Sequence, residues 1–245
     1  MTHEERLAIA RGLAARIVEE YGEAVLAVFV TSSTAKGLDR PHSDLELTAV
    51  LRDGVEVEGK SYVYEGILIE IDYDQESALL RAARRVSGRW AQEADGFRSR
   101  IVLFEREGWT ARLDEAVAEA DAADIGPALA KAATMIVENR DKLRNARYSA
   151  DAMDVRVAAF WVAEGAANLV LLLNRRYMIT TSRFYVQAFE CPEQPPDFRA
   201  RMEKLMGLAP AGEAQLAAIA DALTADLLAM VATRGVSVES ETLIV

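Results

Sequence analysis

One cysteine, Cys191, and two histidines occur in the 245 residues. No internal disulfide can form from them, and no Cys/His zinc site can be assembled. Positive charge is also in short supply: 28 Lys and Arg stand against 39 Asp and Glu, a formal net charge of −11. A nucleic-acid backbone calls for a basic surface, so it is excluded as the expected partner. The surplus of acids reads as solubility or as affinity for a cationic or neutral small molecule. No run of 18 apolar residues occurs, so no membrane span is expected. The opening MTHEERLAIARG carries acids where a signal peptide would be basic and then apolar, so the expected compartment is the cytoplasm. Internal repeats and low-complexity segments are absent as well.

What is there centres on residues 28–50, VFVTSSTAKGLDRPHSDLELTAV. An apolar run from Val25 to Val30 reads as a buried strand. Thr31, Ser32, Ser33, Thr34, Ala35, Lys36 and Gly37 follow, then a connection to Ser43, Asp44, Leu45, Glu46 and Leu47. In Asp-Leu-Glu-Leu the acids alternate with leucines, so on a strand Asp44 and Glu46 share a face. Two adjacent carboxylates repel and raise each other's pKa, a penalty that a divalent cation removes. Mg2+ takes such hard oxygen ligands, usually together with phosphate oxygens. Small residues at a strand-to-helix turn let backbone N–H groups approach phosphate. The same pattern also reads as an amphipathic strand with a solvated acidic face.

Thr2 to Tyr21 reads as an amphipathic helix with Thr2 as N-cap and Leu7, Ile9, Leu13 and Ile17 on one side. A short helix is expected around Thr34–Leu38 and strands at Leu45–Leu51, Lys60–Tyr64, Ile67–Tyr73 and Ser99–Glu105. Asp74 reads as the N-cap of a following helix. From Thr110 the chain turns alanine-rich and helix-periodic, with helices near 127–148, 153–174, 181–189, 196–206 and 212–233. Trp161 to Leu173 is apolar on most faces and reads as the central helix of a bundle. Residues 236–245 read as a strand or a tail. Glu138 and Lys142, four apart, share a helix face and by themselves read as a surface ion pair.

In order and spacing, EERLAIARGLAARIVEEYGEAV, the segment above, LIEIDYDQESALL, KLRNAR and YMITTS resemble the kanamycin nucleotidyltransferase family, within the polymerase-beta-type nucleotidyltransferase superfamily. The resemblance runs nearly end to end and implies an α+β protein. Residues 1–122 would form a nucleotidyltransferase domain with a small mixed sheet flanked by helices, and residues 123–245 an up-and-down helical bundle. It implies Mg2+ held by Asp44, Glu46 and a third acid, Glu70, with phosphates at Ser32, Ser33, Lys36 and Lys142. Glu138 would be the general base. The reaction implied is transfer of a nucleoside monophosphate, AMP from ATP, to a hydroxyl of a small molecule, an aminoglycoside among the candidates. A homodimer with shared active sites is implied too.

Three departures from the family pattern bear on this. Its Gly-Ser turn is Ser32-Ser33 here, and a second glycine is Ala35, which costs of order 1 kcal/mol wherever a positive φ is needed. Acids expected near the acceptor are Thr134, Met135 and Arg89. The alternative reading is therefore a nucleotide-binding or regulatory module with weak or lost catalysis. An interaction protein using its helical half is a third.

Overall fold

The computed structural model describes residues 1–149 and 151–238. The chain divides into two compact units, residues 1–85 with 94–123, and residues 86–93 with 124 onward.

The first unit is a five-stranded mixed sheet in the order β3-β4-β2-β1-β5. Its strands are β1 (Val25–Val30), β2 (Leu45–Leu51), β3 (Lys60–Tyr64), β4 (Ile67–Gln75) and β5 (Ile101–Glu105). Around them run α1 (His3–Tyr21), the four-residue α2 (Ser32–Ala35), α3 (Glu76–Arg84) and α5 (Trp109–Ala122). β1 is an inner strand, antiparallel to both β2 and β5, and every residue of it is buried, as its unbroken apolar run requires. Val28 and Val30 pack with Ala10, Ala14 and Ile17 of α1, whereas Leu26 and Phe29 meet Ala83, Trp109 and Leu113 of α3 and α5.

Alternation in β2 places the acids. Leu45, Leu47, Ala49 and Leu51 lie in the α1-side core. Residues of the other parity, Glu46 with Asp44 just before the strand, therefore turn to the opposite face. β4 runs parallel to β2 in a register that sets Glu70 opposite Glu46.

Most expected elements form, with shifts that have local causes. Thr2 caps α1 in a reciprocal capping box with Glu5. The buried stripe of α1 is Arg6, Leu7, Ala10, Ala14 and Ile17, whereas Ile9 and Leu13 are only half-buried. The short helix starts two residues early, at Ser32. Asp74 does not cap α3: pairing of Gln75 with Leu51 keeps the chain extended through Gln75, which occupies the cap position. The acceptor for Ser77 N–H is instead Asp53 Oδ1, at 3.1 Å.

The second unit is helical: α4 (Trp90–Glu93), α6 (Gly126–Ala146), α7 (Ala152–Leu173), α8 (Phe184–Phe189), α9 (Phe198–Leu205) and α10 (Glu213–Ala232). Pro127 begins α6 where its missing N–H costs nothing. α7 is the core helix, with Val155, Ala158, Ala159, Val162, Ala163, Ala166 and the Asn168–Leu173 run buried. By length and composition α7 and α10 could each cross a bilayer, but 67% of the apolar window of α7 is buried inside the protein, which accounts for its character. Asn168 Nδ2 donates to Gly88 O at 2.7 Å and Met178 N–H to Ala91 O at 2.7 Å, tying residues 86–93 to this unit. The strand-or-tail alternative for 236–245 lies, beyond residue 238, outside the described residues.

Candidate active site

Three carboxylates converge in the first unit. Oxygens of Asp44, Glu46 and Glu70 lie within 4.8 Å of one another, each on a half-buried side chain. Burial raises the Glu46 pKa most, and the charges of Asp44 and Glu70 raise it further. The Ser32 hydroxyl, hydrogen-bonded to the Glu46 carboxylate, and the positive charge of Lys36 both act in the opposite direction. Three hard oxygen donors in mutual repulsion fit a divalent cation, which would offset that repulsion.

Ser32 has φ +55° and so occupies the left-handed region, at a position where the resemblance sets glycine. Ala35 ends α2 without positive φ; the chain spends its turn glycine at Gly37, φ +64°. Of the two glycine departures, only Ser32 therefore carries strain, of order 1 kcal/mol. In exchange, Ser32 offers Glu46 a hydroxyl that glycine lacks. Ser32→Gly is expected to hold stability within roughly 0.5 kcal/mol of the parent, relief of strain offsetting the lost hydrogen bond. Ser32→Ala, which keeps the strain and loses the bond, is expected to fall about 1 kcal/mol lower. Urea denaturation of both variants checks the difference, and equal loss in the two would show that the left-handed backbone at Ser32 carries no strain.

Lys36 is held against Asp95, and both side chains are largely buried. Asp95 also accepts from Ser99 Oγ at 2.8 Å. Asp95 is thus a neighbour of the turn at residues 31–37 that sequence reasoning missed; only the Asp95-Gly96 turn pair hinted at an ordered backbone there.

Arg6 was missed too. Its guanidinium is fully buried and donates to the carbonyls of Met1, Arg40, Pro41 and Ser43 and to Asp39 Oδ2 at 2.8 Å. Asp39 is closed on its other oxygen by His3 Nδ1 at 2.7 Å. This hub fixes the connection between α2 and Asp44. A signal existed, since Arg6 falls on the stripe of Ala10, Ala14 and Ile17, where a charge has no place unless it is fully paired.

In the second unit, Glu138 and Lys142 of α6 pair with each other at 2.8 Å, both exposed. That hydrogen bond holds the Glu138 pKa below the usual carboxylate range. Lys142 Nζ also lies 5.5 Å from the centroid of the Trp161 ring.

The KNTase C-terminal domain family matches residues 107–237, more than half the chain. Aminoglycoside nucleotidyltransferases (4′) from Staphylococcus aureus and from a Bacillus species are each 24% identical over 199 residues, 81% of this chain and 79% of theirs. A crystal structure of a nucleotidyltransferase-like protein from Exiguobacterium sibiricum 255-15 superimposes with TM-score 0.58 at 14% identity. That match covers 91% of this chain and 75% of the other, and it speaks for the fold. With the acid triad on paired strands and the helical half matched over nearly its whole length, the chain belongs to the KNTase family of nucleotidyltransferases.

Proposed function

We propose that the protein transfers a nucleoside monophosphate, AMP from ATP, to a hydroxyl of a small molecule. The observation that carries this reading is the triad of Asp44, Glu46 and Glu70 on adjacent parallel strands. The relatives named for aminoglycosides make that class the first acceptor to test.

Asp44, Glu46 and Glu70 would hold Mg2+, which when bound neutralises charge on the transferring phosphoryl group and the departing pyrophosphate. Ser33 and backbone N–H groups of the turn would receive the outer phosphates, with Ser32 keeping Glu46 oriented. Lys36 reaches phosphate as a point charge once it exchanges Asp95 for it. The acceptor oxygen attacks the α-phosphorus; the bond from that phosphorus to the bridging oxygen breaks, and the electron pair leaves with pyrophosphate. Glu138 takes the hydroxyl proton. Paired with Lys142 it is a weak base, so a lysine drawn to phosphate would restore its basicity. A lysine committed to phosphate would thus make proton acceptance follow nucleotide binding.

The homodimer and the cytoplasmic location belong to the same proposal. Met153, Val157 and Phe160, exposed apolar side chains spaced along α7, support the dimer.

Pyrophosphate release from Mg-ATP across a panel of aminoglycosides and other hydroxylated amines and sugars tests the reading, with Asp44→Asn as blank. Release that depends on both acceptor and Asp44 supports it. Nucleotide binding without release under any acceptor favours the alternative of a non-catalytic nucleotide-binding module, for which strained Ser32 is the supporting feature.

A further inference from the structure

The helical unit contains a cleft of about 210 Å³ lined by residues of 89–92, α6 and α7. That is below the roughly 300 Å³ at which pockets for drug-sized molecules begin, and it suits a single ring. Its charged lining is Arg89, Lys142 and Glu164. Each is already met: Glu164 lies 4.0 Å from Arg89, and Lys142 lies 2.8 Å from Glu138. Among the described residues lining the cleft, Glu164 is the one carboxylate, and two cations share the walls with it. An incoming ammonium would have to displace Arg89 and would meet Lys142, a juxtaposition of like charges.

The remaining polar groups suit hydroxyls. Gln92, Asn139 and Asn168 contribute amides to the lining, and Trp161 contributes a partly exposed indole. Asn168 is buried; its Nδ2 is committed to Gly88 O at 2.7 Å, while its Oδ1 has no hydrogen-bond partner. A buried acceptor without a donor is costly, and a ligand hydroxyl is a group that would satisfy it.

We infer that this cleft binds one neutral, polyhydroxylated ring of monosaccharide size in preference to an amino-substituted ring. Calling that ring the acceptor rests on the transferase reading; its binding does not, and it is measured without nucleotide. The ring lies with one face toward Trp161 and its hydroxyls toward the amides. Charge, more than size, sets the choice.

The probes are myo-inositol and 2-deoxystreptamine, six-membered carbocycles that differ mainly in two amino groups. Saturation-transfer NMR on the full chain gives the affinity for each. Inositol is expected to bind roughly tenfold or more tightly than deoxystreptamine at neutral pH. Trp161→Ala, at a partly exposed position, is expected to abolish the inositol signal. Met135→Glu, which adds a carboxylate to the lining, is expected to narrow or invert the preference. Tighter binding of deoxystreptamine, no binding of inositol, or inositol binding that survives Trp161→Ala would each overturn the inference. None of these results touches Asp44-dependent pyrophosphate release, which decides the transferase reading separately.

Discussion

Replacing Arg6 by methionine is expected to destabilise the first unit by about 3–5 kcal/mol, the range for removing one partner of a buried ion pair. Methionine fills much of the volume but leaves the buried Asp39 carboxylate with His3 alone; the carbonyls of Met1, Pro41 and Ser43 lose the guanidinium donor, and that of Arg40 keeps only the Ser43 N–H. The loss is expected to appear in urea denaturation and also in a weakened response to Mg2+, because the connection that delivers Asp44 is the one Arg6 holds. The double variant Arg6→Met with Asp39→Asn is expected to recover part of the stability, since the stranded charge is gone. It is not expected to recover Mg2+ affinity, because the carbonyls remain unheld. Full recovery of both would reduce Arg6 to an ordinary ion-pair partner.

Glu46→Gln is expected to act with opposite signs on stability and activity. The Glu46 pKa lies above its ordinary 4.5, raised chiefly by burial and then by Asp44 and Glu70. A group raised in the folded state contributes stability that is present below the unfolded pKa and lost as pH rises through the folded pKa. As pH rises past that window, metal-free protein comes to carry the unfavourable charge. The glutamine variant is expected to match or exceed the parent in thermal midpoint there, and its stability should change less across the acid range. In return it should lose the rise in midpoint that the parent is expected to show with Mg2+. Transfer is expected to fall roughly a thousandfold, since the several kcal/mol of charge stabilisation assigned to the bound cation depend on this ligand. A metal-free midpoint lower than the parent's would mean that Glu46 is a structural carboxylate.

The two acids at the start of β2 were legible because strand alternation is a strictly local signal: Leu45 and Leu47 bury one face, and Asp44 and Glu46 take the other. Glu70 was not legible from its own strand, where Asp72 and Asp74 follow it at the same spacing. Its pairing with Glu46 is a matter of register between strands, and the family resemblance supplied it in advance. Arg6 stayed hidden because its partners other than Met1 lie 33–37 residues away, in a connection whose backbone carbonyls leave no trace in composition. Asp74 misled because a good capping residue was outweighed by a strand that runs one residue past it. Grouping of 86–93 with the helical unit was invisible for a similar reason. The anchors there, Gly88 O and Ala91 O, are backbone atoms that any sequence could offer.

The most direct measurement follows the label in ATP carrying 32P at either the α or the γ position, with Mg2+ and an accepted hydroxyl compound. Nucleotidyl transfer through the Asp44–Glu46–Glu70 centre predicts α-label on the acceptor, γ-label in pyrophosphate, and neither outcome in Asp44→Asn. Appearance of γ-label on the acceptor, or α-label transfer undiminished in Asp44→Asn, would contradict it.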